Sequence, residues 1–323
     1  MFRQVNLYKK VHQWIGDQME EVRLHLARPD ALIQLAVLGL LTGLLTGAVI
    51  VLFRVLVETL QNLALHGNGP DAFESLSLWE RFGYPVAGAI MLALMFRWFA
   101  KGLYVLGVAR VLERMAYHQE HLTLRGFLLQ FFGVAIALVG GHSVGREGAH
   151  IFLGACTGSL LGQKLDLPNN AVRTLVGCGT AAGIAASFNT PLAGVIFSLE
   201  VIMMDYQLAS FIPVILSAVT ATVVSNAVLG NAAVFSVPIM ELSSLREIPL
   251  VFVLGLLSGT LAAGFIRLVR MIASKGKAWR IETQMLVAGL STAVLGMWLP
   301  EVMGIGYDTI NIALVGGTAP CCC

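Results

Sequence analysis

Charge is what this sequence has least of. Only 12% of its 323 residues are Asp, Glu, Lys or Arg, while 57% are hydrophobic and the mean hydropathy is +0.78. An ordinary soluble domain carries about 25% charged residues, so a water-soluble globule is excluded. Strict polar–apolar alternation over ten-residue segments is also missing, which excludes a membrane β-barrel. Clustered Lys and Arg with interleaved aromatics are absent, and a net charge of +2 attracts little, so a nucleic-acid partner is excluded. Cys and His residues with metal-ligand spacing are missing too, and neither a metal nor a cofactor is expected. Of the five cysteines, Cys156 and Cys178 lie in apolar segments as small core residues, and Cys321, Cys322 and Cys323 end the chain. The N-terminus lacks the apolar core of a signal peptide. Instead, residues 1–30 mix Arg3, Lys9, Lys10, Arg23 and Arg28 with Asp17, Glu20, Glu21 and Asp30. They read as an amphipathic segment before the first span, with a basic excess that favours a cytoplasmic N-terminus.

What is present is a series of apolar stretches at 31–57, 82–104, 127–141, 150–163, 174–199, 208–235, 249–266 and 284–299, joined by polar connections at 64–81, 236–248 and 275–283. Some approach the ~20 residues needed to span a bilayer. Others are shorter and Gly-rich, as at Gly140-Gly141, Gly177, Gly179 and Gly183. The pattern predicts an all-α, multi-pass membrane protein in which some helices span only half the bilayer and meet inside the protein.

The chain also echoes itself. Gly39-Leu-Leu-Thr-Gly43 returns as Gly255-Leu-Leu-Ser-Gly259, and the same offset pairs Leu45 with Leu261, Ile50 with Ile266, Leu52 with Leu268 and Arg54 with Arg270. Val86-Ala87-Gly88 returns as Val287-Ala288-Gly289. Arginine is scarce in such segments, so its recurrence argues for duplication. A first unit then covers 31–245 and an incomplete second one 246–323. A cysteine run is what a repetitive Leu- or Ala-coding stretch gives in another reading frame. The expectation is therefore a frameshifted or prematurely ended second unit.

The scarce charges concentrate the chemistry. Gly145-Arg146-Glu147-Gly148 lies between two uncharged runs, Phe127–Gly141 and His150–Gly162. A charge at membrane depth costs at least ~2.5–3.5 kcal/mol, so it normally has a functional reason. If a helix begins after Gly145, its free N–H groups and dipole make an anion site without a full cation. That suits conduction, which needs binding weak enough to release. Glu147 would sit in that site. Ionised, its carboxylate competes with the permeant anion; protonated, it can swing away. Two other readings stay open, an Arg146–Glu147 ion pair and a simple interfacial loop, and Arg146 fits a supporting role.

These residues resemble those of the CLC family of chloride channels and chloride/proton antiporters. The family's Gly-Lys/Arg-Glu-Gly-Pro motif stands here as Gly145-Arg-Glu-Gly-Ala149. A second block, Ala186-Ser-Phe-Asn-Thr-Pro-Leu-Ala-Gly194 and Val195-Ile-Phe-Ser-Leu-Glu200, resembles the family's Phe-Asn-x-Pro-Leu-Ala-Gly…Glu helix. The resemblance covers most of 31–315. It implies an antiparallel inverted repeat of tilted helices, a homodimer with one chloride pore per subunit, and a place in the bacterial inner membrane as an electrical shunt in acid stress. It puts the gate on Glu147 and selectivity-filter positions on Gly145, Arg146, Gly148 and Ala149. The family's first filter motif, Gly-Ser-Gly-Ile-Pro, falls on Val105-Leu-Gly-Val-Ala109, where Gly107 and the aliphatic Val108 remain and Leu106 replaces the chloride-contacting serine. The inner proton-transfer glutamate of the antiporters falls on Val201, directly after Glu200. A valine cannot carry a proton, so the resemblance favours voltage-gated, passive chloride conduction over exchange.

The family's third filter motif and pore tyrosine belong to the second unit and find no match before Cys323. Little selective chloride flux is therefore expected from these 323 residues alone, and a non-conducting fragment is one reading. An intramembrane enzyme built on His142-Ser143 beside Arg146-Glu147 lacks a third orienting group and is set aside, as is a secondary transporter on another inverted-repeat fold. His142, His150, Met203 and Met204 read as packing or interfacial residues, Glu200 as structural, and Asp205 as a water-interface marker.

Overall fold

The computed structural model describes residues 32–65, 71–100, 102, 106–117, 120–204, 207–230, 247–276 and 278–314. The N-terminal segment 1–30, the unit boundary at 245/246, Val105, Asp205 and the terminal cysteines lie outside them.

In chain order the helices are α1 (Leu32–Ala64), α2 (Leu78–Met95, continued by a π-turn over Phe96–Ala100), α3 (Val108–Tyr117), α4 (Leu124–Val139), α5 (Glu147–Lys164) and α6 (Asn169–Phe188). They continue with α7 (Pro191–Phe197, continued by a π-turn over Ser198–Met203), α8 (Leu208–Leu229), α9 (Glu247–Gly276), α10 (Ile281–Trp298) and α11 (Tyr307–Leu314). No strand occurs among the described residues. Five of these segments are long and apolar enough to cross a membrane: Leu32–Ala64, Leu78–Ala100, Asn169–Phe188, Ala209–Leu229 and Ile248–Gly276. The protein is a multi-pass, all-α membrane protein, and α3, α7 and α11 are its short helices.

The centre of the fold is α6. Every residue from Thr174 to Ser187 is buried, as a helix with no polar face must be. Small side chains make this possible. Where α5 crosses α6, a Cβ added to Gly154 would lie 2.9 Å from the carbonyl carbon of Gly179, and one on Gly158 would lie 2.6 Å from that of Leu175. The backbones touch with nothing between them, the close approach that small residues permit in lipid. The same device joins α1 to α8. A Cβ on Gly39 or Gly43 would lie 2.9 Å from Pro213 Cα or 2.8 Å from Ser217 Cα. Side-chain hydroxyls complete the clamp on α6: Ser217 donates to the Cys178 carbonyl at 2.9 Å and Ser225 to that of Ala186 at 3.0 Å.

Two sequence expectations change here. Gly177, Gly179 and Gly183 do not interrupt a helix; α6 runs through all three, and they are contact points rather than breaks. The break comes instead inside the expected stretch 174–199. Asn189 ends α6 in the left-handed region at φ +57°, held by Asn226 donating to its amide oxygen at 3.0 Å, and Pro191 starts α7. Asparagine tolerates that conformation, and proline bars its predecessor from continuing a helix.

The two echoes fare differently in space. Gly289 lies where α10 crosses α2, an added Cβ sitting 3.0 Å from the Pro85 carbonyl, and Gly88 of α2 faces the end of α4, an added Cβ sitting 3.2 Å from Gly140 Cα and 3.0 Å from His142 Nε2. Gly255 and Gly259, the counterparts of Gly39 and Gly43, have no atom within 4 Å of an added Cβ, and α9 is exposed from Ile248 to Lys275.

Alanine at Gly154 or Gly179 is expected to force α5 and α6 apart at a cost of about 1–3 kcal/mol. The unfolding temperature in detergent, followed by tryptophan fluorescence, should fall for both variants, while Gly255→Ala should leave it unmoved.

Candidate functional site

The loop between α4 and α5 delivers the charged motif. α4 stops at Gly140, and Gly141 takes φ +70°, a turn that glycine adopts at no steric cost. α5 then starts at Glu147 with Arg146 as its N-cap, and no side chain caps it. The first backbone bond into the helix is from His150 N to the Arg146 carbonyl, 3.0 Å. The N–H groups of Glu147, Gly148 and Ala149 precede it and carry the partial positive charge of the helix end. A Cβ at Gly148 would meet nothing within 4 Å, so the space beside this terminus is open. Ala149 is buried and Gly145 is exposed.

Glu147 and Arg146 do not pair with each other; among the described residues the ion pairs are Arg54–Glu58, Arg110–Glu113 and Glu120–Arg173. Both turn instead to Tyr307. The Tyr307 hydroxyl donates to Glu147 Oε1, and the Arg146 guanidinium carbon sits 5.1 Å from the centre of the Tyr307 ring. The alternative reading of a direct Arg146–Glu147 ion pair gives way to a three-residue arrangement in which Tyr307 meets both residues, its side chain also hydrogen-bonding Arg146. Glu147's carboxylate also folds back onto Gly145, where an added Cβ would lie 3.3 Å from Glu147 Cδ.

Tyr307 lies 160 residues from Glu147 and belongs to none of the motifs read in the sequence. Its position is set locally. Gly304 and Gly306 adopt φ +71° and +77°, and Gly304 N bonds to the Gly141 carbonyl at 3.4 Å, which ties this turn to the loop before α5. Met303 packs with Phe73, Leu65 and Leu76 beneath it. The signal available in the sequence was a tyrosine directly after Gly304-Ile-Gly306 at the start of a short helix. Tyr307 also lines a cavity of about 270 Å³ together with Asp71, Glu74 and Glu301.

The other expected site residues lie apart from the Glu147–Tyr307 pair. Leu106, Val108 and Val201 all pack against one apolar cluster that includes Val111, Phe152, Val195 and Leu199. Gly107, at φ +75°, turns the chain into α3, and its carbonyl accepts from Arg110 N at 3.1 Å and Val111 N at 3.3 Å. Leu106 therefore acts as a packing residue here. It reaches 3.9 Å from a Cβ built on Gly126 of α4, a position that Phe152 of α5 approaches to 3.4 Å. Val201 sits on the π-turn after α7, which Ser198 fastens to the Gly177 carbonyl at 2.7 Å and Arg173 to the Met203 carbonyl at 2.7 Å; Glu200 beside it is exposed. His142 and His150 are buried, each with Nε2 lacking a hydrogen-bond partner, and His150 Nδ1 meets the Ser187 hydroxyl. Among the described residues no group of three or more His, Cys, Asp or Glu could hold a metal ion.

An uncapped helix N-terminus carrying a carboxylate thus lies inside a bundle of crossing and broken helices. The family model described as Voltage gated chloride channel matches residues 87–322, and the chain belongs to that family. It is 30% identical over 243 residues to a putative chloride channel protein ClcB-like from Ralstonia nicotianae, covering 73% of this chain and 57% of that protein. It is 29% identical over 294 residues to the voltage-gated ClC-type chloride channel ClcB of Escherichia coli, covering 86% of this chain and 67% of that one. Its fold matches a slow cyanobacterial chloride/proton antiporter at a TM-score of 0.74 and 19% identity, over 88% of this chain and 68% of that one. It matches a CLC-type fluoride/proton antiporter at 0.75 and 24%, over 90% and 72%. The chain thus spans 57% and 67% of the lengths of the two named chloride-channel relatives.

Alanine at Gly107 should cost about 1–2 kcal/mol, because a side chain there must enter the left-handed region. Gly148→Ala, which meets open space, should not. Thermal unfolding of the two variants in the same detergent checks the contrast.

Proposed function

We propose that this protein carries out CLC-type chloride transport, with the N-terminus of α5 as an anion site and Glu147 as its gate. The observation that carries the reading is the position of Glu147: its carboxylate belongs to the first residue of a helix whose leading N–H groups have no side-chain cap. A negative group placed where an anion would be held competes with that anion, and protonation removes the competition. In this proposal Gly145, Arg146, Gly148 and Ala149 form the wall of the site, and the filter positions Leu106, Gly107 and Val108 lie at a second helix start, the start of α3, apart from the Glu147–Tyr307 pair.

Passive, voltage-gated conduction is the favoured mode. Val201 lies in an apolar cluster and offers no proton acceptor on the inner side. The exchange reading keeps one observation, the exposed carboxylate of Glu200 next to it. In this proposal the protein lies in a bacterial inner membrane, where chloride conduction shunts charge during acid stress. It works as a homodimer through the outward face of α7 and α8, where Leu192, Ile196, Val219 and Val223 are exposed. Single-step photobleaching of labelled protein in lipid would count against the dimer.

Chloride efflux from liposomes carrying the longest open frame that contains these residues tests the gate. Efflux should rise on acidification, and Glu147→Gln should give high efflux with no dependence on pH. An E147Q protein that keeps the wild-type pH profile would remove Glu147 from the gate. Reversal potentials across a proton gradient then separate the modes: conduction follows the chloride gradient alone, whereas exchange shifts with the proton gradient.

A further inference from the structure

We propose that Tyr307 is the latch of the gate: its hydroxyl holds the ionised Glu147 carboxylate over the start of α5 and releases it on protonation. The inference rests on Glu147 being the gate and adds the residue that positions it. Three observations carry it. The phenol hydrogen-bonds the Glu147 carboxylate, and Arg146, the cation next in sequence, meets the same tyrosine at its ring and hydroxyl rather than pairing with Glu147. The turn presenting Tyr307 is fastened to the loop that presents Glu147, through Gly304 N and the Gly141 carbonyl. Finally, Tyr307 forms part of the wall of the cavity bearing Asp71, Glu74 and Glu301, so the latch faces a space whose charge attracts protons and repels anions.

The chemistry explains why a phenol serves. A hydroxyl donating to a carboxylate makes a charge-assisted bond, roughly twice as strong as one to a neutral carboxyl. Tyr307 therefore holds Glu147 firmly when ionised and loosely when protonated. The charged and titratable groups around the pair are Arg146 above the ring, Arg54 with its partner Glu58 on α1, His150 one turn along α5, and the three carboxylates of the cavity. Each persists in Tyr307→Phe, which keeps the ring under Arg146 and removes the hydroxyl with its hydrogen bonds to Glu147 and Arg146.

The test uses the 323-residue chain in lipid vesicles and needs no transport. Glu147 is modified with a water-soluble carbodiimide and an amine, and its labelling rate is read by mass spectrometry. At neutral pH, Y307F should label about tenfold faster than wild type, the worth of a charge-assisted hydrogen bond. At acid pH the two rates should coincide. Equal rates at neutral pH, or a rise of the same size at both pH values, would overturn the latch, since the latter marks general loosening. Should Y307F fail to fold, the phenol C–O band of Tyr307 in wild type decides. It must move with acidification and be still in E147Q; a band indifferent to E147Q would overturn the proposal. The gate reading fails separately, if E147Q liposomes keep their pH-dependent efflux whatever the labelling rates show.

Discussion

The site depends on one backbone contact. At the crossing of α5 and α6, Gly154 and Gly179 leave no room for even a methyl group between the chains. Fixing a helix by its backbone fixes its axis more tightly than side-chain packing does, because no rotamer can give way. α6 is buried on all sides and clamped by the hydroxyls of Ser198, Ser217 and Ser225, so it serves as the frame. α5 is held to that frame two turns along from Glu147. The direction in which the free N–H groups of Glu147, Gly148 and Ala149 point follows from the glycines farther down the same helix.

Against this rigid frame the charged residues are arranged to avoid one another's full effect. A direct Arg146–Glu147 pair would neutralise the carboxylate permanently and occupy the helix end. Placing Tyr307 against both gives the guanidinium an aromatic face and a hydroxyl, while the carboxylate keeps a neutral donor. The α5 terminus thereby stays electropositive through dipoles rather than through a full cation. Dipoles bind an anion without trapping it, so the engagement of Arg146 by Tyr307 matters as much as the place of Glu147 at the helix start.

How much of this was legible in the residues depended on distance along the chain. The spans around 31–57, 208–235 and 249–266 announce themselves by length and apolarity, and α1, α8 and α9 stand there. Glu147 was legible because a charge between glycines in an apolar field has few ordinary explanations. Its contact with Tyr307 was not, because nothing local to either residue points across 160 positions. The glycines of α6 looked like breaks because isolated glycine weakens a helix in water; inside a membrane bundle the close contact they allow outweighs that weakness. The true break at Asn189 had a local sign, an Asn two residues before Pro191, masked by the apolar residues on either side. The Leu106 position shows the opposite limit: its side chain fits ordinary packing fully, and only the resemblance connects it with an anion.

The exposure of α9 sets it apart from the rest of the bundle. Where α6 is located by contacts with four other helices, α9 is exposed from Ile248 to Lys275. Its apolar part, 248–266, is about 28 Å long at 1.5 Å per residue, close to the hydrocarbon thickness of about 30 Å. Arg267 and Arg270 follow at once, with side chains long enough to reach headgroup phosphates. The apolar length of α9 is thus matched to a bilayer and closed by arginines, while α5 and α6 keep their crossing through direct backbone contact.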